Sequence, residues 1–131
     1  MFPPSTHTLV VDDFMSIRQV VVKSCMELGL TKITEAEDIN VAWEKLTNAN
    51  PPIDLILSDW NMPGGTGIDL LKRVRGDARF KTLPLILITT ENEKARIVEA
   101  ITAGASNYIV KPFTTESLRA KLEAVYLKIA K

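Results

Sequence analysis

A chain of 131 residues with 16 basic and 16 acidic side chains has no net charge at pH 7, so no overall field draws in nucleic acid or an acidic membrane surface. Its length is that of one domain, able to bury roughly two-thirds of its unfolded surface in a single core, and it has no apolar run long enough to span a bilayer. The single Cys25 excludes an internal disulfide, suits a reducing compartment and reads as helix packing.

Met1-Phe2-Pro3-Pro4-Ser5-Thr6-His7 lacks the basic start and apolar centre of a signal peptide, so the expected location is the cytoplasm and residues 1–7 read as a tail. His7 has no second histidine or cysteine beside it in the sequence and is not expected to bind a metal. Leu9-Val10-Val11 then reads as a short buried strand running into Asp12-Asp13. Ile17, Val20, Val21 and Leu28 follow at the spacing of one helix face, with Gly29 as its stop. The stretch 32–36 predicts a second strand, and Asp38 the cap of a helix carrying Ile39, Ala42, Trp43 and Leu46 on one side.

The third strand is the apolar run Ile53-Asp54-Leu55-Ile56-Leu57-Ser58, bounded by Asn50-Pro51-Pro52 and Pro63-Gly64-Gly65, with Asp59 at its carboxyl end. Gly64-Gly65-Thr66-Gly67 lacks the Gly-Lys-Ser/Thr of a nucleotide phosphate loop and reads as a turn into a helix faced by Ile68, Leu71 and Val74. Residues 83–89 form the most continuous apolar strand, tolerating Pro84 near its start, and a helix with Ile97, Ala100 and Ile101 follows. Asn107-Tyr108-Ile109-Val110 is the fifth strand, stopped by Lys111-Pro112; Thr114 caps a last helix with Leu118, Leu122, Val125 and Ile129 inward. Five strands alternating with five helices over short connections predict a doubly wound α/β domain, a parallel sheet covered on both faces.

In such a sheet the carboxyl ends of the strands rim the ligand crevice. Asp12 and Asp13 end the first strand and Asp59 the third, so a reversal of strand order between those two would gather three carboxylates. Unit charges about 4 Å apart repel by about 1 kcal/mol in water and about 4 kcal/mol at an effective dielectric near 20. A hard dication relieves that repulsion, and an all-oxygen donor set favours Mg2+. Thr89 and Lys111 end the fourth and fifth strands on the same rim. A hydroxyl, an ammonium and a dication around an ionised carboxylate suit phosphoryl transfer, with the carboxylate as nucleophile and no general base required.

Asp12-Asp13, Ser58-Asp59-Trp60-Asn61-Met62-Pro63, Thr89 and Tyr108-Ile109-Val110-Lys111-Pro112-Phe113 resemble the response-regulator receiver family, most closely its stand-alone chemotaxis members, over residues 8–131. The resemblance implies a flavodoxin-like fold with strand order 2-1-3-4-5. It implies that Asp59 accepts a phosphoryl group from a histidine kinase, that Asp12, Asp13, Asp59 and the Asn61 backbone carbonyl serve Mg2+, and that Lys111 and Thr89 contact the phosphoryl group. Lys111-Pro112 is an expected cis peptide, Thr89 and Tyr108 the expected switch, and Asn61 and Glu91 the residues that tune hydrolysis toward a fast reset. Lys94, Ile97, Tyr108, Val110 and Lys121 match the family's contact positions for the flagellar motor switch protein.

The implied protein is a cytoplasmic monomer and a phospho-accepting regulator, not an enzyme with an external substrate, with a phosphatase as a further partner. It departs from the family pattern at Ile39-Asn40, at Thr66 in place of the usual acid, and at Asn92 near the output face. A phosphorelay shuttle or phosphate-sink receiver is the alternative. A Mg2+-dependent phosphatase is remote, because Asp12-Asp13-Phe14-Met15 lacks the second acid two residues after a nucleophile. A flavin site of the same fold would want hydroxyls where the two carboxylates stand.

Overall fold

The β-branched and leucine-rich runs pair as parallel strands and the amphipathic segments between them become crossover helices in a computed structural model. It describes residues 1–62, 65–90 and 94–129, the side chains of Asn61 and Lys94 excepted. Numbering only the main-sheet strands, β1 is His7–Val11, β2 Lys32–Ala36, β3 Leu55–Asp59, β4 Leu85–Thr89 and β5 Asn107–Val110. The helices are α1 Met15–Glu27, α2 Ile39–Asn48, α3 Gly67–Arg75, α4 Lys94–Thr102 and α5 Thr115–Ile129. All pairings in the sheet are parallel and the order is 2-1-3-4-5, the predicted doubly wound fold.

Alternate residues of the strands feed two cores. Leu9, Val11, Ile56, Leu85 and Leu87 pack with Ala42, Leu46, Leu71, Val74 and Ala100 of α2, α3 and α4. Val10, Leu55, Leu57, Ile86, Ile88 and Ile109 pack with Val21, Cys25, Leu118, Leu122 and Val125 of α1 and α5. Leu55, Ile56, Leu57, Leu85, Ile86 and Leu87 are completely buried, each worth about 1.5–3 kcal/mol of transfer free energy. The central strands β3 and β4 are therefore a stiff frame for the residues at their ends.

Several expectations need correction. Ile17 and Val20 do not face the sheet: they are 38% and 56% exposed, and α1 buries Val21, Ser24 and Cys25 instead. The stripe through Val21, Ser24, Cys25 and Leu28 lies beside the one through Ile17 and Val20, and the polar Ser24 hides it from an apolar count. Ser24 is buried because it faces α5, where Thr115 Oγ1 donates to it at 3.3 Å. Ile101 and Ile129, near the carboxyl ends of α4 and α5, are half or more exposed as well.

At the expected Gly-rich turn, whose Gly64 lies outside the described residues, Asn61–Met62 pairs antiparallel with Gly65–Thr66. Thr66, where the family usually has an acid, completes a capping box: Asp69 N donates to Thr66 Oγ1 and Thr66 N to the Asp69 carboxylate. Asp38 caps α2 as predicted, its carboxylate accepting from Val41 N at 2.8 Å, and Thr114 Oγ1 accepts from Ser117 N before α5. His7 opens β1, its ring held between Pro51 O and Thr34 Oγ1. Phe2 is buried against Tyr126, ring centroids 5.1 Å apart. Burial pushes the Cys25 thiol up to about 12, in keeping with a packing role. Among the described residues no helix is long and apolar enough to cross a membrane.

Candidate functional site

Connections from β1 lead to one side of the sheet and those from β3 to the other, so the crevice opens between the carboxyl ends of these two neighbours. Asp12 leaves β1 with its N–H on Ala36 O, and its carboxylate accepts from Phe14 N at 3.0 Å. Arg18, one turn into α1, donates to Asp12 O at 2.8 Å and pairs with Glu35 at 2.8 Å, which pins the turn that presents both acids. Asp59 ends β3 in register with Ile88, and the following Trp60 N donates to Ile88 O.

Lys111 N donates to Thr89 O at 2.7 Å, and the Lys111–Pro112 peptide is cis. The lysine side chain lies across the crevice, Nζ donating to Asp59 Oδ1 at 3.0 Å and to Asp12 Oδ2 at 3.4 Å. Asp12, Asp13 and Asp59 each direct one oxygen into a space where these atoms lie within 4.8 Å of one another. Asp12 is 2% and Asp59 8% exposed, so this charge is largely withdrawn from water. Burial, with repulsion from Asp12, holds the Asp59 carboxyl above the usual carboxylate range despite the opposing pull of Lys111.

One ammonium faces three carboxylates, and Asp13 Oδ1 is buried with no hydrogen-bond partner. Both facts fit a further cation. The donors are all hard oxygens and few, which matches Mg2+ with water completing its shell.

Thr89 closes β4, 2% exposed and opposite Val110, while Tyr108 stands half-buried on β5 opposite Leu87. The Asn61 backbone pairs opposite Thr66. Ile97, Val110 and Lys121 are half-buried on α4, β5 and α5. Glu91, Asn92, Pro63 and the side chains of Asn61 and Lys94 lie outside the described residues.

Three features beside this crevice were not foreseen. Arg18 was legible as a cation just after the acidic pair. Gly67, whose N–H donates to Trp60 O at 2.7 Å, carries no chemical signal beyond being a glycine. An apolar groove of about 350 Å³, lined by Ile17, Val20, Val21, Pro112 and Phe113 with Thr90 and Lys111, adjoins the crevice through its lysine.

The family model described as "Response regulator receiver domain" matches residues 8–123. The chain is 49% identical over 117 residues to the chemotaxis protein CheY1 of Helicobacter pylori, covering 89% of this chain and 94% of that protein. It is 42% identical to the chemotaxis protein CheY of Pseudomonas aeruginosa over 92% of this chain and 96% of that protein. Among solved structures, that of the Vibrio cholerae chemotaxis protein CheY4 superposes with a TM-score of 0.83 at 36% identity, over 92% of this chain and 98% of that one.

Proposed function

This chain belongs to the response regulator receiver family, and on that premise we propose that it is a chemotaxis response regulator that accepts a phosphoryl group on Asp59 from a histidine kinase. The observation that carries the proposal is the crevice itself: a largely buried carboxylate, bonded to Lys111, beside two further acids.

An Asp59 carboxylate oxygen attacks phosphorus; the new O–P bond forms as the P–N bond to the donor histidine breaks, and the imidazole leaves with the electron pair. Lys111, already 3.0 Å from Asp59, shifts to the incoming phosphoryl oxygens, and Thr89 donates its hydroxyl to them. Asp12, Asp13, Asp59 and the Asn61 carbonyl would hold Mg2+, which when bound supplies positive charge against the phosphoryl group. Reset is hydrolysis, water attacking phosphorus and returning the Asp59 carboxylate, at a rate that Asn61 and Glu91 tune. Phosphorylation favours the arrangement in which Tyr108 turns inward behind Thr89, and the α4–β5–α5 face, with Lys94, Ile97, Tyr108, Val110 and Lys121, then binds the flagellar motor switch protein.

The test is intact mass, with tryptophan fluorescence in parallel, after Mg2+ and then acetyl phosphate are added to the wild type and to Asp59→Asn. A phosphoryl adduct that requires Mg2+, decays on removal of donor and is absent from Asp59→Asn is expected. A folded, Mg2+-binding wild type that accepts no phosphoryl group from acetyl phosphate or from its kinase overturns the proposal.

The exposed apolar start of α1 is where the phosphodonor rests. Lys111 both bonds Asp59 and lines the groove of Ile17 and Val20, so a protein delivering a phosphoryl group to Asp59 must cover that groove. Val20 is 56% exposed, so Val20→Asp leaves the core intact. It should slow transfer from the kinase by about tenfold, the loss of one apolar interface anchor, and leave transfer from acetyl phosphate unchanged. Equal slowing with both donors would place the defect in the crevice instead.

A further inference from the structure

Tyr108 and Thr89 lie on the same face of the sheet. Paired residues of parallel strands project to the same side, and the register sets Leu87 against Tyr108 and Thr89 against Val110. Leu87 belongs to the core under α2, α3 and α4, whereas α5 packs on the opposite face through Leu118, Leu122 and Val125. Yet Lys121, on α5, places its ammonium 4.4 Å from the centroid of the Tyr108 ring. β5 is the edge strand, so the lysine reaches the ring around that edge.

Among the described residues Lys121 makes no ion pair, and the Tyr108 hydroxyl has no hydrogen-bond partner. The cation over the ring is thus the polar contact that holds this pose.

We infer that Lys121 is a latch on Tyr108: its ammonium keeps the ring at the sheet edge, and the ring turns inward toward Thr89 only by giving that contact up. The inference rests on the reading of Tyr108 as the switch. It adds that the resting population is set by a charge on α5, outside the phosphorylation crevice. It also supplies a link to an acidic partner, because a carboxylate that pairs with Lys121 withdraws the ammonium from the ring. Such a partner favours the inward pose as phosphorylation does, so at equilibrium the two favour each other.

The test is a double-substitution cycle on phosphorylation by acetyl phosphate at saturating Mg2+, followed by fluorescence. Lys121→Gln should raise the rate by about two- to fivefold, the range for an exposed to half-buried cation–ring contact. Lys121→Arg, which keeps the cation, should restore the wild-type rate, and in a Tyr108→Leu background Lys121→Gln should change nothing. The sign separates the latch from bulk electrostatics, since removing a positive charge alone weakens attraction for an anionic donor. In the nuclear magnetic resonance spectrum of the resting protein, the ring should shift the Lys121 side-chain protons upfield, and Tyr108→Leu should abolish that shift.

If Tyr108→Leu changes the rate but Lys121→Gln does not, the latch is overturned and the switch stands. If Lys121→Gln speeds the reaction equally with and without the ring, the latch is again overturned. If neither residue moves the rate, the reading of Tyr108 as a switch falls and takes the latch with it.

Discussion

Lys111→Met should destabilise the Mg2+-free protein by about 2–3 kcal/mol, measured by urea unfolding, and millimolar Mg2+ should recover part of the loss. The lysine side chain is 15% exposed and bridges two carboxylates that are 3% and 11% exposed. Removing one partner of a buried pair typically costs about 3–5 kcal/mol because the other charge stays behind uncompensated, and partial solvation trims that figure. Methionine keeps most of the apolar stem that lines the groove beside α1, so the loss reports the ammonium rather than the packing. Asp59→Asn should act in the opposite direction. Its carboxyl is held above the ordinary range by burial, so the folded chain keeps that proton to higher pH than the unfolded chain does. Stability from this group is therefore full below the unfolded value and lost as pH rises through the folded one. At neutral pH the ionised Asp59 opposes folding, and the neutral amide removes the penalty. An unchanged midpoint for Lys111→Met would mean that the three acids are relieved by something other than this lysine.

Legibility in the sequence follows how local each cause is. Strand ends are local: an apolar run that stops at Asp12-Asp13, Asp59, Thr89 or Lys111 puts these residues on one rim as soon as the sheet is known to be parallel. Caps are local as well, and Asp38 and Thr114 were readable from type and position. The strand order came with the family resemblance, because alternation of strands and helices alone leaves several orders open. The facing of α1 was misread because Ser24 is buried against Thr115, a residue 91 positions away, and nothing within one helix turn signals that. The pose of Tyr108 also depends on a distant residue, Lys121, reaching around a sheet edge. Thr66 departs from the family pattern, and with Asp69 it closes the capping box that starts α3.

The residue whose role was least visible should show one of the largest responses. A methyl group on Gly67 would stand 2.5 Å from the Asp59 carbonyl oxygen, 2.7 Å from Leu87 Cδ2 and 3.2 Å from Trp60 Cα. Its amide is already drawn down by the 2.7 Å hydrogen bond to Trp60 O, so the first turn of α3 presses directly on the end of β3. One of the clashing atoms is backbone of the central strand and another belongs to a fully buried leucine, so neither can yield cheaply. Gly67→Ala should therefore cost about 3 kcal/mol, the upper range for overpacking. Because the displaced atom is the carbonyl of Asp59, the proposed phosphoryl acceptor, Mg2+ affinity read by tryptophan fluorescence should fall with it. Gly29→Ala is the control: φ there is +88°, so the substitution carries a backbone penalty of about 1–2 kcal/mol, but an added methyl meets nothing within 4 Å. It should lower stability while leaving Mg2+ affinity unchanged. Equal losses of Mg2+ affinity in the two variants would show that the crevice senses global stability; a loss confined to Gly67→Ala would show that the seating of α3 on β3 sets its geometry.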